Sequence, residues 1–382
     1  MGNTSTHKRA FVIVLDSLGC GSARDSADYG DEGANTLGSI LQAQPELKLP
    51  NLASLGLGAA TGMREIDAEL RKGTCKFSVL QEESKGKDTT TGHWELMGLV
   101  LREPFPLFPE GFPEEVLKPL KSYAGRGVLC NKPASGTEII NELGAQHMQT
   151  EDLIVYTSGD SVFQIAAHEE IVPLSELYDI CQYMRDEVLV GKYCVGRVIA
   201  RPFTGTAETG FVRTGNRRDF GVKPFSSTVL DHLISAGVDV TGVGKISDIF
   251  SAQGLSASVS THSNEEGMAA TAQLATTQKE GLIFTNLVDF DMLWGHRRDS
   301  LGYAHGLEVF DEWLGDFLDT LTDDDLLVIT ADHGCDPRFK GTDHTREFVP
   351  ALWYCPYPHA KILIGGDTFS TVGQSIEEWL AR

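Results

Sequence analysis

Three stretches of the chain are almost continuously apolar, with no alternation of apolar and polar residues. They are Ala10–Leu15, Gly281–Val288 and Leu326–Thr330. Such runs are typical of strands that are buried on both faces of a parallel sheet. Shortly after them come Asp16, Asp291, and the pair Asp332 and His333. Because sites in open α/β sheets form beyond the carboxyl ends of strands, the pattern predicts one site assembled from distant parts of the chain.

A change in sequence character near residue 101 predicts an inserted domain. Four prolines fall within ten residues after Glu103, which is typical of a linker, and Gly205–Gly221 is rich in Gly, Thr and Arg. Between these segments, Leu153–Thr157 has the pattern of a strand and Leu174–Val190 that of a helix. We therefore expect a smaller α/β domain inserted into a discontinuous first domain, with the bounds 102–221 for the insertion and 1–101 with 222–382 for the first domain.

Four further elements are predicted after the insertion. Ser226–Ser235, Glu265–Thr276 and Leu301–Leu321 place apolar residues at helical spacing, and Val238–Gly242 has the pattern of a strand. Helices that alternate with apolar strands indicate an α/β fold, in which helices flank a mostly parallel sheet.

The composition indicates a globular protein and disfavours several kinds of partner. The chain has 382 residues, 41% hydrophobic and 23% charged, which is typical of a globular protein with two domains. No run approaches the roughly 18 apolar residues of a membrane-spanning helix. The net charge of −22 disfavours nucleic acid and membranes as partners, because both are negatively charged. A phosphorylated ligand would need a local cationic site built from metal ions or a few Arg and Lys side chains.

The cysteines and the first residues bear on the cellular compartment. Seven cysteines are present, and no two are spaced as CxxC. The apolar run after Arg9 ends before Asp16, which is too short for the apolar segment of a signal peptide. We therefore expect reduced thiols and a cytoplasmic protein.

Six candidate metal ligands follow the predicted strands: Asp16, Asp291, His296, Asp332, His333 and His344. Three carboxylates and three imidazoles form a mixed ligand set that suits Mn²⁺, Mg²⁺ or Zn²⁺. The set is too large for one ion that keeps a position open, so it predicts two ions, as in phosphoryl-transfer sites. Taken alone, Asp16 is equally typical of a helix N-cap, and a single His is more often a surface or core residue.

The segment Gly86–Glu95 is a candidate for a nucleophile. Three consecutive threonines, from Thr89 to Thr91, follow Asp88. They suit a helix N-terminus, where unpaired backbone N–H groups attract anions. A hydroxyl at that position can attack phosphorus when a neighbouring metal ion lowers its pKa. A threonine-rich cap without a catalytic role is the alternative that these residues alone leave open.

Several other catalytic motifs are missing from the sequence. It contains no GxxxxGK[ST], no GxGxxG and no GxSxG. Cys335–Arg338 approaches the sulfatase signature Cys-x-Pro-x-Arg, but its Arg stands one residue early. P-loop, dinucleotide-binding, serine esterase and sulfatase chemistry are therefore disfavoured.

Eight segments together resemble the bacterial phosphopentomutases, a family of the alkaline phosphatase superfamily. They are Val14–Gly19, Lys87–Glu95, Tyr156–Gln164, Gly244–Ile249, Asn286–Asp291, Gly295–Asp299, Ala331–Gly334 and Gly341–Glu347. The resemblance runs from about residue 10 to about residue 375. It implies an alkaline-phosphatase-like α/β core, with a mostly parallel sheet flanked by helices, and an inserted smaller α/β cap domain.

The resemblance also implies a set of site residues. It implies two Mn²⁺ ions per subunit, with Mg²⁺ or Zn²⁺ as alternatives. One ion would be held by Asp16, Asp332 and His333, and the other by Asp291, His296 and His344. The phosphorylated nucleophile would be Thr89. The implied substrate-binding residues are Ser158, Asp160 and Arg197 in the cap domain and Lys245 in the core.

The implied activity interconverts ribose or 2-deoxyribose 1-phosphate and 5-phosphate, which links nucleoside breakdown to pentose metabolism. It runs through a phosphothreonine enzyme and a pentose 1,5-bisphosphate, so a sugar bisphosphate should act as an activator. The implied partners are small pentose phosphates, and no protein partner is implied.

Two alternatives stay open at this point. The nearest is another member of the superfamily, such as cofactor-independent phosphoglycerate mutase or a phosphatase. The other is a non-catalytic metal-binding protein on the same scaffold. The family commonly has Asn where this chain has Cys335, and we expect this difference to have little effect.

Overall fold

The computed structural model describes residues 8–158 and 161–381. The chain divides into two compact units, which we call the core unit (Met1–Glu103 with Pro224–Arg382) and the inserted unit (Pro104–Lys223). None of the described helices is both long and apolar enough to cross a membrane.

Thirteen strands are present in the described part of the chain, and they form one sheet in each unit. In chain order they are β1 (Arg9–Leu15), β2 (Thr74–Leu80), β3 (Val128–Pro133), β4 (Leu153–Thr157), β5 (Val162–His168), β6 (Arg197–Thr206), β7 (Gly210–Arg213), β8 (Arg218–Gly221), β9 (Val240–Val243), β10 (Ala257–Val259), β11 (Gly281–Leu287), β12 (Asp325–Thr330) and β13 (Val349–Cys355).

Twelve α-helices are found in the same residues, together with short 3₁₀ and π-helical turns. In chain order the helices are α1 (Thr36–Ala43), α2 (Pro50–Ser54), α3 (Leu57–Thr61), α4 (Thr89–Leu96), α5 (Glu114–Ala124), α6 (Gly136–Thr150), α7 (Leu174–Tyr183), α8 (Val229–Ser235), α9 (Ile246–Ile249), α10 (Asn264–Thr277), α11 (Ser300–Leu318) and α12 (Ser370–Leu380). The π-helical turns are Met184–Val188 and Phe290–Gly295.

The sheet of the core unit has the strand order β10-β9-β11-β1-β12-β13-β2. The strands from β10 to β12 are parallel, and β13 and β2 pair antiparallel at the other side. In the centre, Val12 of β1 pairs with Phe284 on one neighbour and Val328 on the other. All three side chains are buried, which explains the continuous apolar runs. The carboxyl ends of β11, β1 and β12 therefore meet at one edge.

Most predicted elements of the core unit are confirmed, and the differences have physical causes. β1, β11 and β12 match the three apolar runs, while β9 begins two residues later than the predicted Val238–Gly242. The sequence did not predict β13, because Pro350 stands inside it and proline disfavours a strand interior. In the structure Pro350 pairs with Val79 of β2.

The inserted unit contains a mixed six-stranded sheet with helices on both faces. Its order is β3-β4-β5-β6-β7, and β8 pairs with β6. One buried cluster joins α5 and α7 to the sheet through Leu117, Leu177 and Val198, and another joins α6 through Ile139 and Phe211. The predicted helix Leu174–Val190 ends earlier, since α7 stops at Tyr183 and continues as a π-helical turn.

Candidate metal centre and nucleophile

Three predicted ligands, one after β1 and two after β12, lie within reach of a common ion. His333 Nε2 is 3.4 Å from Asp16 Oδ1 and 3.4 Å from Asp332 Oδ2, and all three residues are buried. The opposite carboxylate oxygens accept hydrogen bonds: Ser17 N donates to Asp332 Oδ1 at 3.1 Å, and Asn286 Nδ2 donates to Asp16 Oδ2 at 2.9 Å. These bonds turn the other oxygen of each carboxylate towards His333.

The other three predicted ligands form an adjacent group. Asp291 Oδ2 lies 3.3 Å from His296 Nε2, and Asp291 Oδ1 lies 3.3 Å from His344 Nε2. His296 Nδ1 donates to the carbonyl of Thr342 at 2.6 Å, and His344 Nδ1 donates to that of Lys87 at 2.9 Å. With Nδ1 protonated, Nε2 of each ring keeps the lone pair that a metal ion needs. Two such atoms 3.0 Å apart repel each other unless a cation lies beside them.

A π-helical turn brings Asp291 and His296 together. The turn Phe290–Gly295 follows β11, and the amide of His296 donates to the carbonyl of Asp291 at 3.0 Å. This spacing of five residues is that of a π-helix, a conformation that often marks functional sites. The two side chains therefore leave the backbone on the same side, and no local sequence pattern indicates this conformation.

The two groups of candidate ligands lie side by side, and their atoms are suited to divalent cations. The rings of His333 and His344 stack with centroids 3.9 Å apart, and Asp291 is within reach of both. Within the described residues, the buried atoms Asp16 Oδ1, Asp291 Oδ1 and Asp332 Oδ2 accept no hydrogen bond. A buried carboxylate oxygen without a partner is costly, and a bound cation removes that cost. The donor set combines carboxylate oxygens with imidazole nitrogens, so it suits Mn²⁺ and Zn²⁺ better than Mg²⁺, which prefers oxygen ligands.

The pKa values of the candidate ligands reflect how closely their negative charges are packed. Burial and the neighbouring Asp332 raise the pKa of Asp16. Burial opposes the charged form of His333, but Asp332 and Asp16 outweigh it and raise the pKa of this imidazole well above its usual value. Burial also acts to raise the pKa of Asp332, yet His333 and His93 lower it to about 2. The cluster therefore attracts positive charge.

Thr89 lies at the edge of this cluster. It is the first residue of α4, and its hydroxyl Oγ1 is 3.2 Å from His333 Nε2. Asp88 is the N-cap and accepts hydrogen bonds from the amides of Thr90 and Thr91, at 3.0 and 3.2 Å. The threonines thus form the helix start that the sequence predicted, and the capping box fixes the direction of the first turn.

Two residues that support the cluster were not identified from the sequence. His93 Nδ1 donates to the carbonyl of Thr89 at 2.9 Å and is 3.0 Å from Asp332 Oδ2. Asn286 Nδ2 lies 3.3 Å from His93 Nε2 and also donates to Asp16. Both residues fall within segments of the resemblance, but only the fold shows that they connect α4 to Asp332 and Asp16.

Cys335 stands beside the cluster but on the outer side of His296. Its Sγ is 4.0 Å from His296 Nδ1, the ring atom that bonds to Thr342, and not from the Nε2 that faces Asp291. Burial raises the pKa of the Cys335 thiol far above its usual value, so the neutral thiol is favoured. The thiol packs against Gly295, and its sulfur lies within 4.8 Å of ligand atoms of Asp291 and His296, which makes it a further candidate donor at this group.

The predicted substrate-binding residues fall in both units. Lys245 is half-buried at the N-terminus of α9, directly after β9 at the carboxyl edge of the core sheet. In the inserted unit, Ser158 and Arg197 line one cleft. Arg197 Nη1 is 3.6 Å from Asp219 Oδ2. Asp160 lies outside the described residues.

The α/β fold and its cluster of carboxylates and imidazoles define the class of protein as a metalloenzyme. A family model described as "Metalloenzyme superfamily" matches residues 8–381. A solved structure of Leishmania mexicana phosphoglycerate mutase covers 99% of this chain and 96% of its own, with 12% identity and a TM-score of 0.49.

Curated relatives are much more similar in sequence. A protein of Caldanaerobacter subterraneus subsp. tengcongensis named phosphopentomutase is 54% identical and covers 91% of this chain and 88% of its own. A protein of the same name from Acetivibrio thermocellus is 49% identical and covers 98% and 96%. The chain therefore belongs to the phosphopentomutase family of the metalloenzyme superfamily, and it is an isomerase of the phosphomutase type.

Proposed function

We propose that this enzyme interconverts ribose or 2-deoxyribose 1-phosphate and 5-phosphate by intermolecular phosphoryl transfer. Thr89 carries the phosphoryl group between the two halves of the reaction, and a pentose 1,5-bisphosphate is the intermediate. The observation that carries the proposal is the hydroxyl of Thr89, 3.2 Å from His333 Nε2 and at the start of a helix. The names of relatives about 50% identical to this chain give the substrate class.

The six residues Asp16, Asp291, His296, Asp332, His333 and His344 are proposed to hold two divalent cations, with Mn²⁺ as the first candidate. When bound, these cations supply Lewis-acid stabilisation of phosphoryl oxygens and lower the pKa of the threonine hydroxyl.

The chain itself orients the nucleophile. The amides of Thr90 and Thr91 are bonded to Asp88, so the positive end of the α4 dipole, and not these amides, favours a phosphoryl group on Thr89. Asp88 holds this turn, and His93 ties the carbonyl of Thr89 to the region of Asp332. In the cycle, the sugar's anomeric oxygen bonds to phosphorus as the bond from phosphorus to Thr89 Oγ1 breaks.

The second half of the reaction regenerates the enzyme. As Thr89 Oγ1 leaves phosphorus in the first half, it takes the proton of the anomeric hydroxyl. After the bisphosphate has reoriented, the Thr89 hydroxyl attacks the 5-phosphate, the bond from phosphorus to the 5-oxygen breaks, and the proton passes from Thr89 to the 5-oxygen. Lys245 is proposed to neutralise negative charge on the transferred group, because it follows β9 at the carboxyl edge of the core sheet. Ser158, Asp160 and Arg197 are proposed to bind the sugar phosphate in the inserted unit.

The direct test is mass spectrometry of the Mn²⁺-loaded enzyme after treatment with a sugar bisphosphate. We expect one added phosphate, located on a peptide that contains Thr89. The treated enzyme should convert ribose 5-phosphate to ribose 1-phosphate and should leave 3-phosphoglycerate unchanged. Conversion of 3-phosphoglycerate alone, or release of inorganic phosphate as the main product, would contradict the proposal.

A further inference from the structure

Cys335 brings a buried sulfur atom to the side of the metal cluster. The residue lies in the loop after β12, where its amide donates to Thr36 Oγ1 at 3.1 Å, and it is 1% exposed. A Cβ at Gly295 would lie only 3.0 Å from Cys335 Sγ, so the sulfur packs directly on the residue before His296. The absence of a side chain at Gly295 permits this close approach.

The sulfur is within reach of two residues that are already candidate ligands. Ligand atoms of Asp291, His296 and Cys335 all lie within 4.8 Å of one another. In a tetrahedral site with bonds of about 2.1 Å to nitrogen and 2.3 Å to sulfur, those two ligand atoms are about 3.5 Å apart. A shift of about 1 Å therefore brings the three atoms to bonding distance of one cation.

Only weak polar contacts hold the thiol among the described residues. Cys335 Sγ lies 3.8 Å from the carbonyl oxygen of Asp343 and 4.0 Å from His296 Nδ1. The first contact is long for a hydrogen bond, and a thiol is a weak donor. His296 Nδ1 already donates to the carbonyl of Thr342, so it offers the thiol no lone pair. The sulfur is therefore free to turn towards a cation.

Asp291 gives independent evidence that a cation binds at this group. It is 6% exposed, and its Oδ1 atom accepts no hydrogen bond from any described residue. Such a buried carboxylate oxygen is rare unless a ligand, an ion or water satisfies it. From the sequence we expected Cys335 to have little effect, but its position beside Asp291 and His296 argues for a direct role.

The sulfur would make the two halves of the cluster chemically different. The first half offers two carboxylates and one imidazole, from Asp16, Asp332 and His333. The second half offers oxygen, nitrogen and sulfur, from Asp291, His296 and Cys335. Carboxylates suit Mg²⁺ and Mn²⁺, whereas thiolates select softer cations such as Zn²⁺. Only the second half therefore has a donor that favours Zn²⁺ strongly.

We propose that Cys335 Sγ is a ligand of the cation held by Asp291 and His296, and that it makes this position selective for thiophilic divalent cations over Mn²⁺. The inference rests on the cation site of the proposed function and not on the identity of the sugar. As the cation binds, the S–H bond breaks and its proton leaves to solvent. Both electrons of that bond stay on sulfur, which donates a pair to the cation, so nothing is oxidised or reduced.

Replacement of the bound ions by Co²⁺ in the full-length protein tests for the sulfur ligand directly. A thiolate gives Co²⁺ an intense near-ultraviolet charge-transfer band that oxygen and nitrogen ligands do not give. The wild type should show this band, and Cys335→Ser, which replaces only the sulfur atom, should bind Co²⁺ without it. The matched control is Cys355→Ser, a buried thiol near the start of β12 that donates to the carbonyl of Asp323, and it should keep the band.

Competition between Zn²⁺ and Mn²⁺ measures the selectivity. In Cys335→Ser the Kd for Zn²⁺ should rise at least roughly 10-fold, the lower limit for losing even an outer partner of a metal ligand. The Kd for Mn²⁺ should rise less, because Mn²⁺ gains little from sulfur. An equal rise for both ions would contradict the selectivity.

The outcomes separate this inference from the proposed function. Two Co²⁺ ions bound to the wild type without the band, or a band that persists in Cys335→Ser, would overturn the sulfur ligand and leave the proposed cation site intact. Protein that binds no Co²⁺ would overturn both. If the wild type shows the band but does not isomerise ribose 5-phosphate, the proposed function fails and the sulfur ligand stands.

Discussion

The guanidinium of Arg346 lies 2.6 Å from the carboxylate of Glu82, and neither side chain is more than 2% exposed. Arg346 Nη1 also donates to the carbonyls of Ser84 and Gly86, at 3.0 and 2.7 Å. These carbonyls belong to the segment that leads into α4 and Thr89. Arg346 therefore fixes the backbone just before the proposed nucleophile.

Removing this guanidinium should destabilise the core unit. Burial raises the pKa of Glu82 and Arg346 opposes that shift, so Arg346→Met leaves Glu82 buried without its counter-charge. We expect the free energy of unfolding to fall by roughly 3–5 kcal/mol, measured by chemical denaturation. The double variant that combines Arg346→Met with Glu82→Gln should be more stable than Arg346→Met alone, because the unpaired buried charge is removed. The control is Arg24→Met, which breaks an exposed pair with Asp367 and should cost about 0.5 kcal/mol or less.

The hydroxyl of Thr89 should be required for turnover but not for folding. Thr89→Ala should lower the rate of ribose 5-phosphate isomerisation by roughly 10³-fold or more, because no phosphoenzyme can form. The metal content and the melting temperature should stay near those of the wild type. Thr90→Ala, one residue further along the same helix turn, is the matched control and should keep its activity. Isomerase activity that survives in Thr89→Ala would assign the nucleophile to another residue.

The side-chain amide of Asn286 should strengthen metal binding because it orients Asp16. It donates to Asp16 Oδ2 at 2.9 Å and holds the other oxygen towards His333. Asn286→Ala should weaken Mn²⁺ binding roughly 10- to 100-fold, the usual effect of losing such support. Titration of the metal-free protein measures this change, and Asn141→Ala, on an exposed part of α6, serves as the control. Unchanged affinity would mean that Asp16 is held by other contacts.

Chelation should destabilise the chain as well as inactivate it. Without cations, three buried carboxylates repel one another; two divalent cations reverse the formal charge of the cluster. At free Mn²⁺ about 100-fold above Kd, losing one ion should cost about 2.7 kcal/mol of folding free energy. Calorimetry before and after chelator treatment measures the shift, and re-addition of Mn²⁺ should restore both stability and activity. A non-catalytic scaffold would regain stability without activity.

Elemental analysis tests the number of ions. We expect two divalent ions per chain in the wild type and about one in Asp291→Asn, because Asp291 contacts both His296 and His344. Asp316→Asn, an exposed change on α11, should leave the content at two. An unchanged content in Asp291→Asn would remove this residue from the ligand set.

Acid should weaken the inserted unit through His147. This buried imidazole donates from Nδ1 to the carbonyl of Asp152 at 2.6 Å and accepts from the amide of His168 at Nε2, at 2.9 Å. Burial lowers its pKa below the usual 6.5. As the pH falls, His147 is therefore protonated in the unfolded chain before it is protonated in the folded protein. The free energy of unfolding is retained above pH 6.5 and declines below it, by at most about 1.4 kcal/mol per pH unit.

Hydrogen exchange in β4 and β5 at several pH values measures this decline. His147→Gln should flatten the dependence between pH 6.5 and 5, because Gln does not titrate. His359→Gln, on an exposed loop, should follow the wild type. A pH profile that is the same in His147→Gln and in the wild type would assign the effect to another group.

The secondary structure of the core could be predicted largely because its strands are buried on both faces. Continuous apolar runs revealed β1, β11 and β12, and helical spacing revealed α10 and α11 within a few residues. The strands β2 and β13 escaped detection, since β2 is half-exposed and β13 contains a proline. Their pairing depends on long-range contacts that leave no local pattern.

By itself, the sequence determined the class of fold, the list of candidate ligands and the helix start at Thr89, because apolar periodicity and capping residues act over a few neighbours. Only the tertiary structure decided which histidine faces which carboxylate, and that His93 and Asn286 support them. It alone also brought the sulfur of Cys335 within reach of Asp291 and His296. Strand register and a π-helical turn set these distances, and both depend on contacts between residues far apart in the chain.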